Sequence, residues 1–434
     1  MSSIAVIGAG PAGITAATLL ARAGHAVEVF ESHDHAGGRT RTVHFGDGHW
    51  LDTGAGWLTD FYPTTMSILR DAGIDQHLTP LTLRGGGDLL IDGERYPSPN
   101  SMGRILRSRL ISVPEKVRFF AWMAMLLIRQ GPNLRIDRQF DATPAMDGLR
   151  SMGRGPLERV VRPSFEGPFF ARLEQMSATL VRSWLRSLSI GAFFQVDQGM
   201  DRPWRDLAAA LTVHYGSTVD AVGGVGAARA WIEWGGERRS FDHVVLAAPA
   251  PVARLLLGNA APPQLERVPY VPHVRVYVAR PSRAPVLRSA IHAFPNDIVA
   301  TVERGQGGDP AWGSVPKGWE WTLLCAPSAS SDSLVGLPDE ELLDTMFSEA
   351  SKIAGEELTW RDHEIVHVVR WDPAVPVVDT GYYERLAAME SVAPVFFAGD
   401  WTDQPCVEGA VRSGVRAARQ IDPNIASRAE VEDR

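Results

Sequence analysis

A glycine-rich segment near the amino end has the residue types and spacing of a dinucleotide-binding turn. It reads Gly8-Ala9-Gly10-Pro11-Ala12-Gly13. In such a segment the first glycine permits a tight turn, the second lets a pyrophosphate approach the backbone, and the third lets helix and strand pack closely. Amides at the start of the following helix can donate hydrogen bonds to phosphate oxygens. The segment therefore predicts a dinucleotide site.

The elements around this segment are those that such a site needs. Residues 4–7 form an apolar run typical of a buried strand, residues 12–23 a helix of small residues that ends at Gly24, and residues 27–31 a second strand. Glu31 closes that strand, about 20 residues after the glycines, where its carboxylate can accept a hydrogen bond from a ribose hydroxyl. The pattern predicts a βαβ unit with Glu31 on the ribose.

A second glycine-rich segment, Gly37-Gly38-Arg39-Thr40, follows the predicted ribose carboxylate. Paired glycines let backbone come close to a ligand, and Arg39 offers a planar, permanently charged group suited to phosphate. With residues 51–57 (LDTGAGW), 397–401 (FAGDW) and 407–414 (VEGAVRSG), this segment makes the sequence resemble the flavin-containing amine oxidase superfamily, which also holds protoporphyrinogen oxidases and phytoene desaturase-like enzymes.

The resemblance implies FAD as the cofactor and gives particular segments a role. Arg39 would counter the charge of the pyrophosphate, Val219 would lie near the adenine, and Asp400 near the phosphate and ribityl chain. Amides at the start of the last helix would face the pyrimidine carbonyl of the flavin, where they stabilise negative charge. The residues expected around FAD are Gly8, Gly10, Pro11, Ala12, Gly13, Glu31, Gly37, Gly38, Arg39, Thr40, Gly54, Ala55, Gly56, Trp57, Val219, Ala248, Gly399, Asp400, Val407, Glu408 and Ala410.

Two departures from the amine oxidase pattern bear on the reaction. Amine oxidases commonly carry an aromatic residue where this chain has Cys406, and often a lysine where it has Arg275, whose side chain cannot lose its proton to act as a base. Both departures favour a desaturase-like or protoporphyrinogen-oxidase-like dehydrogenation of an apolar substrate, with hydride transfer to flavin N5. Catalytic-site candidates are Trp57, Arg275, Trp371 and Cys406, and Tyr382 and Trp401 are either pocket or core residues.

Three other functions stay open from the sequence. They are a flavin amine oxidase, a redox-neutral flavin isomerase and a non-catalytic escort protein of the same fold. The oxidoreductase would need a small-molecule substrate and an electron acceptor, either oxygen or another compound. Only two cysteines are present, and histidine pairs of the metalloprotease type are absent, so no disulfide framework and no metal site are expected.

The fold class expected is α/β, a Rossmann-type FAD-binding domain with an inserted α+β substrate-binding domain. A chain of 434 residues with 45% hydrophobic residues can bury the core of two or more domains. The FAD-binding domain is assigned to residues 1–77, 200–260 and 390–421, the substrate domain to 78–199 (mostly helical) and 261–389 (sheet plus helix), and a flexible tail to 422–434.

Charge and hydropathy limit the partners. A net charge of −8 with scattered arginines gives no basic field for nucleic acid. The amino end has no secretory signal pattern, and cysteine usage fits a cytoplasmic location. The most apolar stretch, residues 119–128, is half the length of a membrane span. We expect it to be a buried helix, and peripheral membrane contact through it is the less favoured alternative because an unbroken apolar run leaves no polar face.

Overall fold

The computed structural model describes residues 1–46, 48–81, 87–167, 170–307, 313–387, 389 and 393–425. Most of the predicted flexible tail, residues 426–434, therefore lies outside the described residues. The α-helices are α1 (Pro11–Arg22), α2 (Pro63–Asp71), α3 (Met102–Arg107), α4 (Val113–Arg129), α5 (Ala145–Leu149), α6 (Arg154–Pro156), α7 (Arg162–Phe165), α8 (Ala178–Leu188), α9 (Arg202–Ala208), α10 (Ala250–Leu257), α11 (Asp332–Val335), α12 (Asp339–Ala354), α13 (Tyr382–Ala387) and α14 (Val407–Ile421).

The strands, in chain order, are β1 (Ser3–Ile7), β2 (Ala26–Phe30), β3 (Thr42–Gly46), β4 (His49–Asp52), β5 (Leu58–Thr59), β6 (Leu78–Pro80), β7 (Asp88–Ile91), β8 (Glu94–Pro97), β9 (Phe193–Val196), β10 (Thr212–His214), β11 (Val219–Gly223), β12 (Ala230–Trp234), β13 (Glu237–Phe241), β14 (His243–Leu246), β15 (Tyr270–Pro281), β16 (Ser289–Phe294), β17 (Thr301–Gln306), β18 (Gly313–Ser314), β19 (Trp319–Cys325), β20 (Ile365–Pro376) and β21 (Val395–Phe397).

A five-stranded parallel sheet in the order β10-β2-β1-β14-β21 forms the base of the nucleotide-binding region. Its strands β1 and β14 carry continuous apolar runs because both faces of a parallel sheet are covered. Helices α1 and α14 pack against each other beside this sheet. Strands from the two ends of the chain are thus brought together.

A second sheet has seven strands in the order β20-β15-β19-β17-β16-β7-β8 and shares no strand with the parallel sheet. Successive side chains of its long strand β15 point to opposite faces of the sheet, because a β-strand is pleated. Val274, Val276 and Val278 pack with Leu342 and Met346 of α12 in one apolar cluster. His273, Arg275 and Tyr277 are also buried, on the opposite face of the same strand.

Most predicted elements are present close to their expected positions. The apolar run at residues 4–7, the small-residue helix, the aromatic strand from Trp319 and the helix after Pro338 all form. The stretch 78–199 also contributes β7 and β8 to the seven-stranded sheet, which the sequence pattern did not indicate. Together these elements make a mixed α/β fold, and the division into domains at the expected boundaries stays a prediction.

The expectation of a buried helix at residues 119–128 is only half right. Helix α4 buries Phe119, Trp122, Met123 and Leu126, but its other side leaves apolar side chains exposed, with Ile128 at 84% exposure. An unbroken apolar run gives a helix apolar residues on every side, and here the core covers only one of those sides.

Candidate functional site at the carboxyl edge of the parallel sheet

All five strands of the parallel sheet end at the same edge. Ile7 pairs with both Phe30 and Leu246, Phe30 also pairs with His214, and Leu246 also pairs with Phe397. Gly8, Glu31, Ala248 and Gly399 therefore follow the ends of adjacent strands. Ligands of open α/β sheets bind outside this edge.

The first glycine segment has the close packing that its spacing predicts. Gly8 has a φ of +105°, and a Cβ there would lie 2.8 Å from the carbonyl oxygen of Ala247. A Cβ on Gly13 would lie 1.9 Å from the carbonyl oxygen of Gly8. Gly10 differs, because a Cβ there would meet only the Cα of Gly38, at 3.9 Å. Gly8 and Gly13 are thus required by the fold, and Gly10 leaves open space between the two glycine segments.

Glu31 is buried, and its hydrogen bonds join the first glycine segment to the loop after β2 and to the segment before β11. Its carboxylate accepts a hydrogen bond from the Ala9 amide at 2.7 Å and another from the His33 amide at 2.9 Å. The Ser217 amide, two residues before Val219, donates to the Glu31 carbonyl oxygen at 2.7 Å. The segment leading into β11 therefore lies beside Glu31, where the ribose and adenine of the cofactor were expected.

Arg39 and Asp400 form a bidentate ion pair across the site. Nη1 and Nη2 of Arg39 donate to the two carboxylate oxygens of Asp400 at 2.9 and 2.6 Å, and Nη1 also donates to the carbonyl oxygen of Ala374 at 2.6 Å. The sequence predicted both residues near the cofactor but not that they contact each other. Parallel hydrogen bonds between a planar guanidinium and a carboxylate fix both groups in orientation.

The loop expected beside the flavin is joined to the second glycine segment through backbone. The Ala55 amide donates to the Arg39 carbonyl oxygen at 3.0 Å, and a Cβ on Gly54 would lie 1.8 Å from that oxygen. Thr40 is buried and its hydroxyl donates to the carbonyl oxygen of Gly37. Residues 37–40 and 54–57 thus form one continuous wall.

Helices α1 and α14 both begin at this edge of the sheet and cross closely. A Cβ on Gly414 of α14 would lie 2.3 Å from the carbonyl oxygen of Ala12 in α1. Gly10 carries no side chain that could cap α1, and no side-chain hydrogen bond joins Cys406 to the amides of Val407 or Glu408. The first amides of both helices, which include those of Val407 and Glu408, are available to an anionic group.

The side chain of Glu408 has another role than the one expected from its place in the cofactor segment. It is fully buried, and its carboxylate accepts hydrogen bonds from the amides of Thr64 and Thr65 and from the hydroxyl of Thr65, at 2.7 to 3.0 Å. These amides open α2, so Glu408 caps that helix and places a negative charge at its positive end. Only its backbone amide remains for a cofactor.

These groups fit an adenine dinucleotide. The donors are helix-opening amides, the acceptor is the Glu31 carboxylate, and the two glycine segments face each other across Gly10 and Gly38 without side chains between them. Val407 and Ala410 of α14 and Ala248 after β14 are buried around the same edge. FAD would be held by the first turns of α1 and α14, by Glu31 and by residues 37–40.

The catalytic candidates on the seven-stranded sheet lie in a hydrogen-bonded group. Arg275 is 1% exposed, its Nη1 donates to the carbonyl oxygen of Asp52 at 2.9 Å, and Nη2 lies 3.4 Å from Nε2 of His273. His273 pairs in register with Trp371 on β20, whose indole N–H donates to the carbonyl oxygen of Thr53 at 2.8 Å. Trp57, half-buried, packs edge-to-face on Phe193. Arg275 and Trp371 therefore both contact the backbone of residues 52–53, and Trp57 lies four residues further along that segment.

Cys406 lies apart from that group, at the start of α14. Burial raises the pKa of its thiol to about 12, and the pKa of the neighbouring Tyr62 is also raised by burial. A thiol with this pKa remains protonated at neutral pH and is a poor nucleophile. Its role in the catalytic site stays a prediction, and the Gly409 amide, Arg412 and Tyr62, which lower the pKa of the thiol, do not offset the effect of burial.

Comparison with known proteins identifies the family of this chain. The sequence profile of flavin-containing amine oxidoreductases matches residues 11–422. The chain belongs to this family. It is 22% identical to 15-cis-phytoene desaturase of Narcissus pseudonarcissus, over 96% of this chain and 79% of that protein. It is 25% identical to hydroxysqualene dehydroxylase of Rhodopseudomonas palustris, over 96% and 97%. The structure of cyclohexylamine oxidase from Brevibacterium oxydans superposes with a TM-score of 0.73 and 18% identity, covering both chains completely.

Membership of the flavin-containing amine oxidoreductase family makes the protein an FAD-dependent oxidoreductase. The superfamily resemblance and the FAD expected from the sequence are therefore confirmed. Among the described residues, no cluster of three or more His, Cys, Asp or Glu is placed to hold a metal ion. Within the same residues, no helix combines the length and hydropathy needed to cross a membrane.

Two further buried residues, Asp52 and His273, lie next to the candidate Arg275 and were not singled out in the sequence. Asp52 is fully buried, and its carboxylate accepts hydrogen bonds from the Thr42 hydroxyl and the Met200 amide, while burial raises its pKa to about 8. His273 has a pKa lowered to about 3 by burial and by Arg275, so its ring is neutral. Asp52 could have been noticed as the one acid in residues 51–57, but His273 gave no signal.

Trp401 and Tyr382 are core residues. The Trp401 indole donates to the carbonyl oxygen of Ala248 at 3.0 Å, and the Tyr382 hydroxyl donates to the carbonyl oxygen of Trp401 at 2.6 Å. Both are at most 1% exposed. Their hydrogen bonds hold the Gly399-Asp400 turn against the strand end at Ala248, which positions Asp400.

Proposed function

We propose that this flavoprotein dehydrogenates a largely apolar, uncharged organic substrate at a CH–CH or CH–N bond, with hydride transfer from the substrate carbon to flavin N5. FAD supplies the hydride acceptor when bound. Oxygen or another compound would then reoxidise the flavin. Trp57, Arg275 and Trp371 are proposed to line the substrate side, and a cytoplasmic location stays a prediction.

The observation that carries this proposal is the fixed cation of Arg275 on the buried face of β15. Its hydrogen bonds to the Asp52 carbonyl oxygen and towards His273 hold the guanidinium in place. A protonated amine brought to this face would be repelled in a region of low dielectric. An uncharged substrate avoids that cost.

The neighbours of Arg275 support the same substrate class. His273 is neutral. Tyr277, Leu323 and Trp321 form an apolar cluster with Leu51, the first residue of the segment 51–57 that is expected beside the flavin. The names of two relatives, 15-cis-phytoene desaturase and hydroxysqualene dehydroxylase, refer to compounds that carry no charge. A cyclohexylamine oxidase shares the fold, so amine oxidation is the rival to be tested.

The proposal is tested by mixing the FAD-loaded protein anaerobically with candidate substrates. These are uncharged polyenes, a porphyrinogen and primary amines. Reduction of the flavin is followed as bleaching of its long-wavelength absorption band. We expect bleaching with an uncharged compound and none with the amines. Bleaching by amines alone would overturn the proposal in favour of an amine oxidase. Turnover of an uncharged compound without bleaching would identify a redox-neutral isomerase, and a chain that retains FAD but neither bleaches nor turns over any compound would fit an escort protein.

A further inference from the structure

We propose that the exposed side of α4, with Leu106 of α3, docks on the surface of an anionic phospholipid bilayer. This docking face consists of Leu106, Val113, Val117, Ala124, Met125 and Ile128. Leu106, Val113, Val117 and Ile128 have exposures of 60, 70, 67 and 84%, and Met125 of 50%. The proposal concerns where the protein works and does not depend on its substrate.

The two sides of α4 are distinct in their contacts. At 3.6 residues per turn, Val113, Val117, Ala124 and Ile128 lie on one side, and the buried Phe119, Trp122, Met123 and Leu126 lie on the opposite side. From Val113 to Ile128 the helix extends about 22 Å, at about 1.5 Å per residue. The protein therefore presents a row of apolar side chains along the whole helix, supported from beneath by its core.

The row is held rigidly. The Trp122 indole donates to the hydroxyl of Ser151 at 3.1 Å on the buried side. Lys116 donates from Nζ to the carbonyl oxygen of Leu106 at 2.9 Å, which joins α3 to the first turn of α4. A capping box at Ser112 and Glu115 fixes the start of α4. Leu106 and α4 therefore act as one surface.

The charge around the docking face decides which partner it fits. Residues 102–129 contain Arg104, Arg107, Arg109, Lys116, Arg118 and Arg129 but only one acid, Glu115, in a chain whose net charge is −8. Arg107, Arg109, Arg118 and Arg129 are exposed. Long basic side chains beside apolar ones match anionic headgroups above acyl chains.

The same charges argue against a second copy of this chain as the occupant. In a two-fold dimer the same patch faces itself, so the arginines of one copy would approach those of the other. Like charges placed opposite each other weaken an interface. An anionic bilayer instead attracts the exposed arginines that flank the docking face.

Co-sedimentation of the full-length, FAD-loaded protein with vesicles tests the docking face. We expect binding to vesicles that contain phosphatidylglycerol and at least tenfold weaker binding to pure phosphatidylcholine. The double variant Val117→Glu/Ile128→Glu should lose at least tenfold in binding. The matched control Leu255→Glu/Leu287→Glu changes two leucines that are 74% and 90% exposed elsewhere, and it should bind as the wild type does.

A second variant keeps the apolar row intact. Arg107→Gln/Arg118→Gln should weaken binding to anionic vesicles several-fold and leave the FAD absorbance unchanged. Failure of the wild type to bind, or equal loss in the test and control variants, would overturn the proposal. It would also be overturned if light scattering shows a dimer that Val117→Glu/Ile128→Glu dissociates while neither protein binds vesicles, because the face would then be a self-interface. Loss of flavin bleaching bears on the proposed function only, since vesicle binding is measured independently.

Discussion

Arg39 and Asp400, 361 residues apart in sequence, form a bidentate ion pair at the carboxyl edge of the parallel sheet. Each of these residues lies in a segment that the sequence associates with the cofactor. Their pairing shows that the amino-terminal glycine segments and the turn after β21 enclose one site. A single ligand can therefore be held by both ends of the chain.

Replacing Arg39 by Lys should weaken FAD binding at least tenfold, because a single ammonium cannot make two parallel hydrogen bonds to the Asp400 carboxylate. Asp400→Asn should have a similar effect, and the double variant should lose less than the sum of the two. FAD fluorescence titration of the reconstituted protein measures each affinity. The control Arg150→Lys changes an arginine that is 81% exposed and should leave affinity unchanged. Fully additive losses would contradict the coupling.

Gly10→Val should give a folded protein that no longer binds FAD. Its backbone has an ordinary φ of −75°, and a Cβ there meets only the Cα of Gly38, so the added side chain fills the space for the pyrophosphate without breaking packing. Gly13→Val should instead fail to fold, since its Cβ would lie 1.9 Å from a carbonyl oxygen. Circular dichroism and the flavin absorbance separate the two outcomes. A Gly10→Val protein that purifies fully yellow would show that the fingerprint is misassigned.

Glu408→Gln should lower the free energy of unfolding by about 1–3 kcal/mol, because the buried carboxylate makes charge-assisted hydrogen bonds to the first turn of α2. Urea denaturation of the protein freed of FAD measures this change without contribution from the cofactor. Glu340→Gln replaces a glutamate that is 73% exposed and serves as the matched control. Equal stability of the two variants would rule out Glu408 as a cap of that strength.

Asp52→Asn should reduce the loss of stability that the wild type shows as pH rises towards 8. The pKa of Asp52 is raised to about 8 in the folded protein, so above pH 4 the folded state keeps a proton that the unfolded state has lost. Stability therefore falls as pH rises through this window, by at most about 1.4 kcal/mol per pH unit.

The window for the Asp52 measurement is pH 6.5 to 8. His273, whose folded pKa is lowered to about 3, changes stability mainly below its ordinary pKa near 6.5, and in the opposite direction. Urea unfolding across that range should show a smaller slope for Asp52→Asn than for the wild type. The exposed Asp220→Asn should keep the wild-type slope. Identical slopes for all three proteins would mean that Asp52 is ionised throughout.

Cys406 should resist alkylation by iodoacetamide in the folded protein at pH 8, since a pKa of about 12 leaves about one thiolate in ten thousand molecules. Cys325, with a pKa raised to about 11 by burial, should also resist, and both should react after unfolding. Mass spectrometry of the labelled peptides measures both. Cys406→Ala should keep flavin reduction within about threefold. Rapid labelling at Cys406 alone would identify a reactive thiol.

The cofactor region was readable from sequence because its requirements are local. A turn that needs Gly8, a helix start that must approach phosphate and a strand-end carboxylate at Glu31 each restrict residue types over a few positions. The apolar strand runs and small-residue helix are local for the same reason. These features identify the family and FAD, and most residues expected around the cofactor lie in segments that the structure brings to one edge.

The tertiary structure decided which side chains face each other. Glu408 lies in a cofactor segment, but its carboxylate contacts the first turn of α2 at Thr64, 344 residues earlier in the chain. His273 and Asp52 meet around Arg275 only because β15 packs on the end of β4. The apolar run of α4 could not reveal which side the core would cover. Backbone conformation depends on neighbours in sequence, whereas burial, charge pairing and pKa depend on neighbours in space.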